Sequence, residues 1–154
     1  MGSMDEAEAM NEQEFIEHYP ATVDIPVQWG EQDGFGHINN AVFIRWLEAS
    51  RIQLMTKLGV ELTTHGVGPI LAAVSCNFRL QVKFPDIVIA GARITRMGRS
   101  SMGIEHAVWS KAQGAVAADG DSTVVLFDYD QQQSSPLSES LRALIAEWHP
   151  ALKA

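Results

Sequence analysis

The residues TVDIPVQWGEQDGFGHINNAVFIRWLEASRIQLMTKLG, numbers 22 to 59, hold a strand, a shaped loop and a long helix in that order. In the first eight, Val23, Ile25, Val27 and Trp29 alternate with Thr22, Asp24, Pro26 and Gln28, the period of a half-buried strand. Pro26 has no N–H to give a ladder, so the strand belongs at an edge or a bulge. The next stretch, GEQDGFGHINN, carries three glycines and two asparagines, a density of punctuation that marks a shaped loop. A helix is predicted over 40 to 58, with Asn39 or Asn40 as its N-cap and Gly59 as its stop. Its apolar residues cover most of the circumference, so protein must surround it on most sides. The narrow polar face is Arg45, Glu48 and Arg51, and Glu48 can pair with either arginine.

Beyond Gly66 the chain turns strand-like. Residues 69 to 83, 86 to 96, 101 to 112 and 114 to 129 are rich in β-branched side chains, punctuated by Pro85-Asp86, Gly98 and Gly114. Asp119-Gly120 is read as a bulge or turn within the last segment. A short amphipathic helix is predicted over 136 to 148, with Pro136 in its first turn and Leu141, Leu144, Ile145 and Trp148 on one face. Consecutive strands without helical crossovers make a mainly antiparallel sheet. Beside it, a helix apolar on nearly all sides implies a sheet curled around that helix. Periodicity thus yields an α+β architecture and no chemistry.

Composition bounds the rest. The chain has 154 residues, 46% of them hydrophobic, which suits one domain over 20 to 150. The net charge of −8 is unevenly spread: residues 5 to 17 hold six acids and no Lys or Arg, leaving 13 acidic against 11 basic residues elsewhere. Residues 1 to 19 therefore read as an acidic, flexible tail. A balanced body lacks the basic footprint of a nucleic-acid binder. No apolar run is long enough to span a membrane, the first residues are too polar for a signal peptide, and Cys76 is the one cysteine; together these predict a cytoplasmic protein. His18, His37, His65, His106 and His149 show no ligand spacing, so no metal is expected.

Residues 27 to 51 resemble the 4-hydroxybenzoyl-CoA thioesterase family of hotdog proteins. The resemblance rests on Trp29, Gly30, Asp33, Gly36, His37, Asn39, Asn40, Trp46, Glu48 and Arg51, and extends more thinly over about 22 to 130 through Cys76-Asn77-Phe78-Arg79, Pro85-Asp86 and Gly98-Arg99-Ser100-Ser101. It implies a hotdog fold, a long central helix wrapped by a mainly antiparallel five-stranded sheet. It implies an acyl-CoA thioesterase with Asp33 as catalytic carboxylate, the Asn40 amide as a donor to the carbonyl oxygen, and His37 in the site. Two residues depart from the family: Glu31 stands where Asp is common, and Phe43 where Tyr is common. Asn40 stands where some branches carry a catalytic histidine, which argues against a mechanism that needs one.

The chemistry is intelligible from the residues. Thioester hydrolysis needs a carboxylate that activates water or attacks the carbonyl itself. It also needs donors where the carbonyl oxygen gains charge, and a helix N-terminus supplies free N–H groups and a positive dipole end. Gly34 and Gly36 would let the backbone approach the thioester. Glu48 is the rival carboxylate, although its arginine neighbours suit it to an ion pair. For the nucleotide of CoA the resemblance points to Arg96, Arg99 and Ser100 around Gly98, with Arg79 and Lys83 as further options. No cofactor is expected, since CoA is part of the substrate. The resemblance further implies a homodimer or homotetramer with sites at the subunit interface, so that Asp33 of one chain meets Arg99 of another. The competing readings are an acyl-carrier-protein thioesterase, which would want a basic docking patch, and a non-catalytic acyl-CoA-binding module. The acyl group is not legible.

Overall fold

The computed structural model describes residues 10–152. The strand at the head of the decisive stretch is β1, Ala21–Pro26, and the helix is α2, Asn40–Lys57. Between α2 and the closing helix run β2 (Val67–Phe78), β3 (Ile87–Met97), β4 (Ser101–Ser110), β5 (Ala115–Asp128) and a two-residue β6 (Gln133–Ser134) that pairs with β5. The long strands lie in the order β1-β3-β4-β5-β2, every neighbouring pair antiparallel. β6 is a sixth strand beyond the five expected. Pro26 lies on an edge strand, where its missing N–H costs no ladder bond.

Asn39 caps α2 by accepting from Ala41 N at 2.9 Å, and Gly59, at φ +73°, ends it in the left-handed conformation. The helix lies in the concavity of the sheet. Its Leu54 and Met55 pack with Ile104, Val124 and Ile145, and its Phe43, Trp46 and Leu47 with Val88, Val108 and Ala118. The cover is lopsided. Among the described residues no strand flanks β2 on its outer side, and its inward side chains Leu71, Val74 and Phe78 stay exposed, as do Ile44 and Ile52 on α2. One chain therefore leaves an apolar trough between α2 and β2.

Five expectations need correction. The first strand, expected over 22 to 29, ends at Pro26, and Trp29 instead begins a short 3₁₀ turn with its ring exposed. The acidic tail is expected to run through residue 19, and residues 1–9 of it lie outside the described residues. Glu12–His18 instead form a helix, α1, capped by Asn11, whose side chain accepts from Glu14 N at 2.9 Å. Its acids favour the positive end of the helix dipole, while fully buried Phe15 packs with Tyr19 and Trp109 on the outer sheet face. The closing helix, α3, spans Glu139–Trp148 with Ser138 as N-cap, later than predicted, because Leu137 N is bonded to Arg99 O at 2.9 Å and keeps Pro136 outside the helix. β2 ends at Phe78 rather than near 83, since Arg79 N and Leu80 N both turn to Ala117 O, at 2.8 and 3.0 Å. Asp119-Gly120 is no turn but lies inside β5, where a Cβ on Gly120 would collide with Ser75 O of β2.

Candidate active site

The glycine-rich loop is held at both ends. Trp29–Glu31 form a single 3₁₀ turn, Glu31 accepts from Gln28 N at 2.7 Å, and its carboxylate lies 3.5 Å from Arg45 on α2. The longer Glu at this position thus joins the loop to the helix. Ile38 N bonds Val82 O at 2.8 Å and Asn39 N bonds Glu31 O at 3.0 Å, which fixes the start of α2 against the loop. Between these anchors, Asp33 N bonds His37 O at 2.8 Å, and Gly36 takes φ +77°, a turn conformation that favours glycine.

Asp33 is oriented by this turn. Its Oδ1 accepts from Phe35 N at 2.9 Å and, at the long limit, from His37 N at 3.4 Å, so the loop amides hold one carboxylate oxygen and leave the other to the cleft chemistry. At the helix start, Ala41 N is taken by the Asn39 side chain and Val42 N by Asn39 O, leaving the Asn40 N–H without an acceptor inside the helix. Asp33, His37 and Asn40 border one open cleft of ≈ 470 Å³, walled also by Phe43, Phe78 and Arg79. Phe43 is buried and meets Phe78 edge-on at 5.4 Å between ring centroids, so the residue that departs from Tyr serves as an apolar floor and brings no hydroxyl needing a partner. Arg79, a secondary option in the sequence, stands in the wall with Nε 3.0 Å from Asp119.

Arg96, Arg99 and Ser100 are not in this cleft. Arg99 and Ser100 sit at the β3–β4 turn and Arg96 near the end of β3 beside it, and the turn is tied to the other end of the sheet: Leu126 N donates to Ser100 O at 2.8 Å and Arg142 Nη2 to Gly98 O at 2.6 Å. The turn is level with Ile70, which shares Val125 as cross-strand partner with Ser101, whereas the Asp33 cleft is level with Phe78. At about 3.3 Å per residue the two sets stand on the order of 25 Å apart along the sheet. Glu48 is 60% exposed, with Arg51 Nη2 at 3.9 Å, and does not border the cleft.

One polar constellation gave no signal in the sequence. Ser50 Oγ donates to Leu47 O, so it accepts from His106 Nδ1 at 2.8 Å, and His106 Nε2 accepts from Ser122 Oγ at 2.7 Å. All three are buried, and burial, reinforced by nearby Arg51, pushes the imidazole pKa down to about 3. This neutral histidine pins α2 to β4 and β5 and meets no cleft. Burial also pushes the Cys76 thiol up to about 11, aided by Asp119, which keeps it protonated and unreactive where it packs against the core beneath α2. Among the described residues no three His, Cys, Asp or Glu gather in a metal-binding group, and no helix is long and apolar enough to cross a membrane.

The family model of the thioesterase-like superfamily matches residues 27–145. The chain belongs to this superfamily. The curled antiparallel sheet around α2 is accordingly a thioesterase hotdog fold, and thioester hydrolysis is its activity class. Among curated proteins, this superfamily member is 23% identical over 125 residues to the long-chain acyl-CoA thioesterase FadM of Escherichia coli K12, covering 77% of this chain and 91% of that one. Among solved structures, a thioesterase of Thermus thermophilus complexed with coenzyme A and Zn is 28% identical, with a TM-score of 0.76 over 87% of this chain and 97% of that one. A thioesterase-superfamily structure from Jannaschia sp. CCS1 reaches a TM-score of 0.80 at 23% identity, over 88% of this chain and 87% of that one, a likeness of fold.

Proposed function

We propose that the protein hydrolyses acyl-CoA thioesters with Asp33 as its reacting carboxylate and the Asn40 amide as its oxyanion donor, as in the 4-hydroxybenzoyl-CoA thioesterases that residues 27–51 resemble. The observation that carries the reading is the shared cleft: a carboxylate with one oxygen held by loop amides, and a helix-start N–H with no acceptor in its helix, border the same opening. The thioester carbonyl oxygen points to Asn40 N–H and the helix dipole, where charge that develops on it is stabilised. Asp33 Oδ2 either takes a proton from water as the water attacks, or attacks the carbonyl carbon itself. In both cases the C–S bond breaks, the hydroxyl of water ends on the acyl carbon, and its proton ends on the CoA sulfur. His37 lines the cleft and, through its main chain, holds the Asp33 turn. No cofactor takes part.

The active unit in this reading is a dimer. A two-fold axis at the midpoint of β2, between Ala72 and Ala73, would set Val67 opposite the partner's Phe78. It would bring the Arg96, Arg99 and Ser100 turn of one chain toward Asp33 of the other, accounting for their separation within one chain. The nucleotide phosphates then bind at that turn. The exposed inward face of β2 supports this pairing, because a second copy supplies both a strand for the edge and a helix for the trough.

The test is free-thiol release from a panel of acyl-CoAs. Asp33→Asn is expected to lower kcat/KM on the order of 10³-fold while CoA-ester binding persists. Equal turnover by both proteins would contradict the role of Asp33. Tight binding with no turnover in either would favour a binding module, and turnover of acyl-carrier-protein esters alone would favour that carrier.

A further inference from the structure

The trough between α2 and β2 is apolar except in its middle. Arg51 lies there at 8% exposure, and its Nη1 has no hydrogen-bond partner among the described residues. Its own Glu48 stands 3.9 Å from Nη2, mostly in solvent, at the rim of the trough beside Ile44 and Ile52. A guanidinium this buried is costly without a good acceptor, and covering the trough with any apolar surface would raise that cost. A cover that brings a carboxylate to this point would offset that cost.

We propose that the cover is a second copy of this chain, and that Glu48 and Arg51 of the two copies meet at the two-fold axis as a neutral cluster of two carboxylates and two guanidinium groups. The inference rests on the dimer proposed above and adds what selects it. α2 runs antiparallel to β2, with Phe43 against Phe78 at one end and Leu58 and Val67 sharing a hollow at the other. The midpoint of β2 thus lies level with about residue 50 of α2, between Glu48 and Arg51. A two-fold axis there carries the partner's Glu48 over Arg51 and places apolar Ile44 and Ile52 on either side. The pattern is self-complementary, as a two-fold interface requires, and Glu48, left out of the chemistry, acquires a function.

The test separates this cross-chain pairing from the pair within one helix. Glu48→Arg gives a chain with two cations at the cluster, and Arg51→Glu gives a chain with two anions. Each alone is expected to dimerise at least tenfold more weakly than the wild type in sedimentation. Mixed in equal amounts, they are expected to form the heterodimer as the dominant species in native mass spectrometry. Wild-type dimerisation by either variant, or a statistical 1:2:1 mixture, would overturn the proposal. Should Arg51→Glu not fold, Ala73→Cys in a Cys76→Ser background gives a second readout. It is expected to cross-link at the strand midpoint under oxidation, at least tenfold more slowly once Glu48→Arg is added, and an unchanged rate would overturn the cluster. Absence of any cross-link together with a monomeric wild type would refute the dimer itself, whereas the catalytic reading stands or falls separately on thiol release.

Discussion

The two edges of the sheet are built differently. β1 is six residues long, ends in Pro26, and carries a surface ion pair, with Asp24 Oδ2 3.4 Å from Lys111 Nζ. Lys57 of α2 reaches over to bond Pro20 O at 2.8 Å, which fastens the helix on that side. β2 is twelve residues long and free of proline except Pro69, and it turns Leu71, Val74 and Phe78 toward a trough the helix does not fill. An open edge is normally short, charged or covered. β1 meets that rule within one chain. β2 does not, and the Asp33 cleft opens beside its far end, so the unprotected edge and the candidate chemistry share one side of the molecule.

A charge placed on each edge should separate them. Val74→Lys sets an ammonium in the trough and is expected to weaken self-association about 100-fold, the scale of a few kcal/mol for a charge buried at an interface. An unchanged dissociation constant in sedimentation would remove β2 from the interface. A smaller effect concerns pH beneath α2, in the core between the helix and the sheet. His106 is held neutral in the fold, with a pKa near 3 against about 6.5 when unfolded, so below pH 6.5 the unfolded state takes up a proton that the folded state refuses. Its contribution to stability is complete above that pH and falls as pH drops from 6.5 toward 3, by about 2 kcal/mol at pH 5. His106→Gln, which keeps amide partners for Ser50 and Ser122 but cannot titrate, is expected to flatten that part of the urea-unfolding profile. Identical pH dependence in both proteins would contradict the neutral clamp. The smallest effect belongs to the other edge: Asp24→Lys should cost about 0.5 kcal/mol from the lost surface pair and leave self-association unchanged.

How much the sequence revealed follows the same division. α2 and its loop were legible because local signals decide them: an asparagine cap, glycines at turn positions, and an apolar helix that only a surrounding sheet can satisfy. The expected site residues Asp33, His37 and Asn40 came together because all three lie within one short loop and helix start. α1 was not legible, since its acids dominate composition while its stability comes from Phe15 and Tyr19 packing on strands some 70 residues and more away in sequence. The Ser50–His106–Ser122 clamp was invisible for the same reason, as its members are joined only by the register of β4, β5 and the helix above them. Arg99 is a further case: only the family resemblance points to it, and within one chain it stands far along the sheet from Asp33, a separation that the proposed dimer would close.

Whether a working site takes Asp33 from one chain and the arginine turn from its partner is tested by mixing two crippled proteins. Asp33→Asn lacks the carboxylate but keeps Arg96 and Arg99; the double variant Arg96→Glu, Arg99→Glu keeps the carboxylate and lacks the phosphate site. Each homodimer should release thiol from acyl-CoA poorly. The heterodimer, isolated by two affinity tags, should recover about half the wild-type activity, because one of its two sites is then whole. A heterodimer no more active than its parents would contradict a site shared between chains.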